Sequence, residues 1–501
     1  MSEDLRKKTF WGIVWSYIGR FGSQIIAIIP AMILARMLGP EQYGLIAMAG
    51  VFTGIAYQLA DAGFGNALVQ KRDADNIDFS TVFYFNIGIC GIIYLIIYLC
   101  APLIAEFFHE RLLIPIIRFS SLGIIILSFG QIQTIIFKKE IDYKRQVIIN
   151  LTCQIISAVI AIIMAINRYG VWALVAQGLI YTFCTTIMNW IISSWRPMLV
   201  FSRKRLLGLF NYGSKTLASS IIDYGFSKLY DIIIGRVYNP TSLGLYNRAI
   251  STSNIFKDTF FGVFSGVTFP VFVKMQHDNE RFRNNIIKFI SIVSMLIFTA
   301  MIWLIFMAHP LFIFMYSSKW DGAVTFFQLA CVMAMLTPII SILESVILAK
   351  GYSGKFLAIS IIRKIFVVTM LAIAWRFGVL WLLIGQIIVN ICECLIYSFV
   401  TKRIINYSFL NVISDLYPSL LLALVSVIPV AIVDYAVSFA LMNADLDITL
   451  AAIIRLAIGA IVITFSFFTI CKSVKLNNYK ELIHFLEHSI GSNKIVTWLK
   501  V

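Results

Sequence analysis

Charge is scarce in this 501-residue chain. Asp, Glu, Lys and Arg make up 13% of it, about half of the roughly 25% that a soluble domain carries. Hydrophobic residues fill 60% and the mean hydropathy is +0.87, so lipid is the solvent. Long polar loops are missing, which leaves no room for a soluble domain or for the large extracytoplasmic catalytic loop of a membrane glycosyltransferase or polymerase. No GxxxxGK[ST], HExxH or GxSxG pattern occurs, so ATP hydrolysis, zinc chemistry and serine acyl transfer are not encoded and the chain does not read as an enzyme. The eight cysteines lie in or at the ends of apolar stretches, and no CxxC occurs. Disulfide, metal and cofactor roles are therefore not expected. A continuous basic domain is also lacking: the net charge of +16 comes from short scattered clusters, and nucleic acid is not an expected partner. The apolar stretch after the N-terminal MSEDLRKK is too long for a signal-peptide core and lacks a small-residue cleavage pattern, so it is expected to remain as the first span.

Long apolar runs fill the rest. Crossing roughly 30 Å of hydrocarbon takes about 20 mostly apolar residues. Fourteen such spans are predicted, near 10–37, 41–64, 79–106, 112–136, 146–166, 171–193, 207–236, 241–270, 283–308, 320–348, 356–375, 379–400, 415–438 and 449–471. Lys and Arg cluster in alternate connections, as in Arg6, Lys7 and Lys8, then Lys138, Lys139, Lys144 and Arg145, then Arg203, Lys204 and Arg205. The opposite set carries only single residues, such as Arg111 and Arg168. This bias sets both termini in the cytoplasm, consistent with an even number of crossings. In the tail, Leu482, Phe485 and Leu486 give a short amphipathic helix for the membrane surface. His484 and His488, four apart beside it, read as part of a solvated face.

The chain repeats itself. LARMLGPEQYGLIAMA, from Leu34, aligns with IGRVYNPTSLGLYNRA, from Ile234, pairing Arg36 with Arg236, Pro40 with Pro240 and Gly44 with Gly244. RYGVWALVAQG, from Arg168, is echoed by RFGVLWLLIGQ, from Arg376. An all-α integral membrane fold follows, with two six-helix lobes, 1–200 and 201–405, related by a parallel pseudo-two-fold axis along the membrane normal. Spans 13 and 14, within 406–472, lie outside the duplication, and the cytoplasmic tail covers 473–501.

Ionisable groups inside a bilayer cost at least roughly 2.5–3.5 kcal/mol each, so they normally face a wet cavity or a partner. In span 1, Ser16, Arg20, Ser23 and Gln24 form a polar stripe, with Arg20 near the midplane. Span 7 carries Lys215, Asp223, Lys228 and Asp231; span 8, Arg248, Lys257 and Asp258; span 11, Arg363 and Lys364. Cations outnumber anions across these spans, which suits a phosphate or pyrophosphate group. The candidate substrate-binding residues are Arg20, Gln24, Lys215, Asp223, Lys228, Arg248, Lys257 and Arg363. Asp61, Asp231, Glu344 and Glu393 are the candidate carriers of a coupling ion, and Arg36 and Arg236 are candidate gating residues.

The segment from Leu34 to Asp73, with Arg36, Gly39-Pro40, Tyr43-Gly44, Asp61, Gly63, Ala67 and Gln70, resembles the signature of the polysaccharide transporter (Wzx-type flippase) family. That family belongs to the multidrug/oligosaccharidyl-lipid/polysaccharide exporter superfamily. The resemblance implies a flippase of the bacterial cytoplasmic membrane that turns undecaprenyl-pyrophosphate-linked oligosaccharides to the outer leaflet for O-antigen, capsule or similar polymers. It also implies a central cation-lined cavity between the lobes, with spans 13 and 14 outside them. Membrane lipid is an implied partner, H+ or Na+ are candidate coupling ions, and a polymerase or chain-length regulator is a candidate protein partner. Arg20 is similar in place to first-helix arginines that contact pyrophosphate in related flippases. An ion-coupled multidrug or metabolite exporter of the same superfamily is the alternative. Such relatives often place an acidic residue in the first span, where this chain has Arg20 and Pro30.

Overall fold

The computed structural model describes residues 3–61, 64–276, 278–442 and 446–474. The expected tail helix around Leu482–Leu486, with His484 and His488, lies outside them. The described residues form two compact units, Met1–Asn247 and Arg248–Val501. The first is built from α1 (Glu3–Met37), α2 (Pro40–Asp61), α3 (Phe64–Gln70), α4 (Asn76–Phe108), α5 (Leu113–Lys139), α6 (Tyr143–Ile166), α7 (Val171–Ile192), α8 (Arg203–Ser227), α9 (Leu229–Val237) and the start of α10 (Pro240–Lys274). The second continues through α11 (Asn279–Phe306), α12 (Ala308–Tyr316), a 3-10 turn (Ser318–Ala323), α13 (Val324–Ala349), α14 (Ser353–Ala374), α15 (Val379–Ile405), α16 (Phe409–Met442) and α17 (Ile448–Val474).

Every predicted span falls on helical chain, the seventh on two successive helices, α8 and α9. Among the described residues, eleven stretches are long and apolar enough to cross a membrane, so the chain is a multi-pass membrane protein. The three remaining predicted spans fall on α1, α8–α9 and α10, which hold most of the intramembrane charge seen in the sequence. Lipid-facing helices are paid in apolar surface, whereas a helix bearing charge must turn it toward protein or water.

Local rules set the ends. Pro40 and Pro240 open α2 and α10, where a missing N–H costs nothing. Gly170 and Gly378 precede α7 and α15 with φ of 59° and 110°, a region open to glycine, so the second sequence echo builds the same helix start twice. The packing repeats as well. Within the first unit α4 lies on α5, α5 on α7 and α6 on α7; within the second, α11 lies on α13, α13 on α15 and α14 on α15. In the second unit α16 packs on α11 and α17 on α16. That places the last two helices outside the repeated set.

One latch holds the connection between α7 and α8 in the first unit. Asp75 caps α4 by accepting from the N–H groups of Ile77 and Asp78, 3.1 and 3.0 Å. The buried carboxylate of Asp78 meets Lys71 Nζ at 2.7 Å and Arg205 Nη1 at 3.3 Å, while Arg205 also pairs with Asp75. From the next turn of α4, the buried hydroxyls of Ser80 and Thr81 accept from the N–H groups of Met198 and Ser202, 2.9 and 3.1 Å.

Candidate functional site

The predicted seventh span is not one continuous helix. Near Gly225-Phe226-Ser227 the hydrogen-bond ladder shifts: the Lys228 N–H donates to the carbonyls of Tyr224 and Gly225, 3.1 and 3.2 Å, and regular bonding resumes when Ile232 N–H donates to Lys228, 3.0 Å. Gly/Ser pairs are a usual cause of such kinks. The break divides α8 from α9 and puts Asp231 in the first turn of α9, where the helix dipole favours a carboxylate. Lys228 Nζ lies 2.7 Å from Asp231 Oδ2, and Asn247 Nδ2 of α10 donates to Asp231 Oδ1 at 3.3 Å. Asp231 is buried. Broken helices are where membrane transporters place polar sites, because freed backbone and side chains then face a cavity instead of lipid.

Helix α2 seats this break. Tyr224 Oη donates to the Gly50 carbonyl at 3.0 Å. A Cβ on Gly54 would stand 1.7 Å from the same hydroxyl. Gly54 is the second glycine of a GxxxG pattern with Gly50, a spacing associated with close approach in membranes; here Gly54 makes the approach, and nothing lies within 4 Å of a Cβ on Gly50. The composition-led reading passed over Tyr224, Asn247 and these glycines, although the GxxxG pattern stands in the sequence.

The repeated turns meet each other. A Cβ on Gly44 would lie 1.7 Å from the carbonyl oxygen of Pro240, and one on Gly244 would lie 1.9 Å from that of Pro40. The two motifs thus cross backbone on backbone, reciprocally, at a local two-fold. Both turns close alike, with Leu38 N–H donating to Leu34 at 2.8 Å and Tyr238 N–H to Ile234 at 3.0 Å. Beside the crossing, the Arg236 guanidinium sits 5.2 Å from the Phe107 ring centroid and donates to His109 Nε2. Arg36 is half-buried at the matching end of α1.

The other sequence candidates fall into separate places. In the first unit, Gln24 is half-buried on α1, and Asp223 is exposed on α8, accepting from Ser219 Oγ at 3.5 Å. The side chains of Arg20, Asp61 and Lys215 lie outside the described set. In the second unit, Arg248 stacks over Tyr316 and Trp320, 5.0 and 5.3 Å to the ring centroids, and Tyr316 Oη bonds Thr252 Oγ1 at 2.9 Å. Lys257 Nζ donates to Asn254 at 2.9 Å and lies 3.6 Å from Asp258. Arg363 Nε of α14 lies 3.2 Å from Glu393 of α15, and Glu344 of α13 interacts electrostatically with the same arginine. Lys228, Lys257 and Arg363 therefore each have a carboxylate partner, which trims the free positive charge that a residue count suggests.

Three comparisons place the chain among known proteins. The model of a family described as polysaccharide biosynthesis protein matches residues 33–325. Lipopolysaccharide biosynthesis protein WzxC of Escherichia coli (strain K12) is 25% identical over 448 residues, covering 87% of this chain and 89% of that one. Teichuronic acid biosynthesis protein TuaB of Bacillus subtilis (strain 168) is 23% identical over 388 residues, 75% and 80% of the two chains. Among solved structures, the lipid II flippase MurJ in an inward closed conformation aligns with a TM-score of 0.69 at 14% identity, over 93% of this chain and 100% of that one. An inward-facing multidrug resistance MATE family transporter aligns with a TM-score of 0.58 at 17% identity, over 78% and 98%. At these identities the structural likenesses establish a shared fold.

Proposed function

Because the chain belongs to the polysaccharide biosynthesis protein family, we propose that it is a flippase for undecaprenyl-pyrophosphate-linked oligosaccharide repeat units, moving them from the cytoplasmic to the outer leaflet. The observation that carries this reading is the placing of charge: the predicted spans on α1, α8–α9 and α10 hold Arg20, Lys215, Asp223, Lys228, Asp231, Arg248 and Lys257. The curated relatives, named for lipopolysaccharide and teichuronic acid biosynthesis, support a surface-polymer role.

In this reading the basic loops face the cytoplasm and fourteen helices cross the inner membrane, twelve of them as two repeated lobes. The pyrophosphate enters a wet cavity and is bound by Arg20, Gln24, Lys215 and the polar groups of the Lys228–Asp231 break, while the lipid tail stays in the bilayer. Guanidinium forks match phosphate oxygens, and their field is strong where water is sparse. The crossed turns at Gly44 and Gly244, flanked by Arg36 and Arg236, part and close as the outer gate during alternating access. The carboxylates Glu344 and Glu393, set against Arg363, carry a coupling H+ or Na+, with Asp61 and Asp231 the other acidic positions. Lipid is the necessary partner, and a polymerase or chain-length regulator receives the product.

A leaflet assay of lipid-linked oligosaccharide with Arg20→Ala and Asp223→Ala tests the site. Translocation is expected to fall in both variants, and undiminished translocation in both removes it. Efflux of organic cations by the purified protein, without oligosaccharide translocation, would favour the multidrug reading.

A further inference from the structure

The segment joining α7 to α8 carries an apolar run, Met198-Leu199-Val200-Phe201, between basic residues. It is not folded away: Leu199 is 94% exposed, and Met198, Val200 and Phe201 are exposed too. Nor is it slack. The Val200 N–H donates to the Met198 carbonyl at 2.8 Å, a three-residue turn that pushes Leu199 outward. Ser80 and Thr81 grip the segment at Met198 and Ser202. Just upstream, Trp195 is buried in a core with Phe64, Phe79 and Phe83.

The grip fixes a depth. Helix α4 has 33 residues, about 50 Å at 1.5 Å per residue, against roughly 30 Å of hydrocarbon and 40–45 Å including headgroups. Its ends therefore stand in the headgroup layers. Ser80 and Thr81 lie about 6–8 Å in from the start of α4 by helical rise, at the boundary between headgroups and hydrocarbon. Four exposed apolar side chains held at that level, followed at once by exposed Arg203 and Lys204, match the layered chemistry of an anionic leaflet.

We propose that Met198–Phe201 is an interfacial anchor: its side chains enter the leaflet on the basic face of the membrane, and Arg203 and Lys204 bind anionic lipid headgroups there. The anchor ties the connection between the repeated halves to the bilayer. It is independent of what the protein carries.

The test uses the full chain with the half-buried thiols Cys100, Cys184 and Cys392 replaced by serine and a nitroxide attached at Leu199→Cys. The protein is placed in vesicles of phosphatidylcholine with or without phosphatidylglycerol. Asp73→Cys, in the exposed turn on the same face, gives the water reference, and Ile92→Cys, exposed in mid-α4, gives the lipid reference. Collisions at position 199 are expected to favour lipid-soluble oxygen over a water-soluble nickel chelate, toward the Ile92 ratio. The preference is expected to rise with phosphatidylglycerol, and Arg203→Gln with Lys204→Gln is expected to abolish that rise. Nickel access at 199 equal to that at Asp73 in both compositions overturns the anchor. Protection seen in native membranes but lost in purified vesicles also overturns it, assigning the run to a protein partner. Equal depth in both compositions overturns the headgroup half of the proposal.

Discussion

A methyl group on Gly44 would sit 1.7 Å from the Pro240 carbonyl oxygen, far inside van der Waals contact and against backbone that cannot rotate away. Gly44→Ala is therefore expected to lower stability by about 1–3 kcal/mol, the usual range for forced overpacking. Gly50 offers the control in the same helix: nothing lies within 4 Å of its added Cβ, so Gly50→Ala is expected to be neutral or to gain up to about 1 kcal/mol from helix propensity. Thermal unfolding of the detergent-solubilised variants separates the two. Charge at the α4 latch gives a second residue-scale test. The Arg205 hydrogen bond holds the Asp75 carboxyl down at about 2, against roughly 3.9 unfolded. A depressed folded value means that the stabilisation is complete above the unfolded value and is lost as pH falls through about 2. The stability gap between the parent protein and Arg205→Gln is thus expected to be constant above pH ~4 and to narrow below it, as read from unfolding midpoints in acid.

At the scale of elements, the sequence told where helices run better than which of them touch. Hydropathy located α2, α4–α7, α11 and α13–α17 because lipid demands apolar length, and it left α12 in a connection. It said nothing of the crossing of the two Pro/Gly turns, since a sequence repeat shows that two pieces are alike and not that they meet. The break at Lys228 was missed because a window that averages hydropathy smooths over one displaced hydrogen bond, although Gly225 and Ser227 were there to read. Outside the duplication, α16 and α17 hold an ion pair that the sequence reading did not single out. Arg455 Nε and Nη2 donate to Asp434 Oδ1 and Oδ2 at 2.8 and 2.7 Å, a fork on a fork. Asp434 is buried, about 12 Å from the end of its helix by helical rise, so without Arg455 its carboxylate is left buried and unpaired. Asp434→Leu or Arg455→Leu singly is expected to destabilise by about 3–5 kcal/mol by stranding the partner, whereas the double variant returns close to the parent. Denaturation of all four proteins gives the coupling directly, and additive losses would show that the pair does not join the two helices.

For the whole molecule, the legible part of the candidate site was its chemistry and the illegible part its arrangement. Summing charges along spans 1, 7, 8 and 11 found the polar helices, but it left out Glu393, which lies on another span and takes up Arg363. The rings of Tyr316 and Trp320 likewise surround Arg248 from a stretch that looked merely apolar. The pair that most needs a functional test is Lys228–Asp231, because a buried, bonded pair at a helix break serves equally well as a brace or as a polar site. Removing one member strands a charge and would abolish translocation on either account, so single variants decide nothing. The double variant Lys228→Met with Asp231→Leu removes both charges at similar volume, and such replacements are often neutral or stabilising for the fold. Flippase action through this break predicts that the double variant keeps the parental unfolding midpoint yet loses translocation by about ten-fold or more, equivalent to at least about 1.4 kcal/mol of lost transition-state stabilisation. The check is the leaflet assay run beside thermal unfolding on the same preparations. Full translocation by a stable double variant would make the pair a brace and move the polar pathway to Arg20 and Asp223.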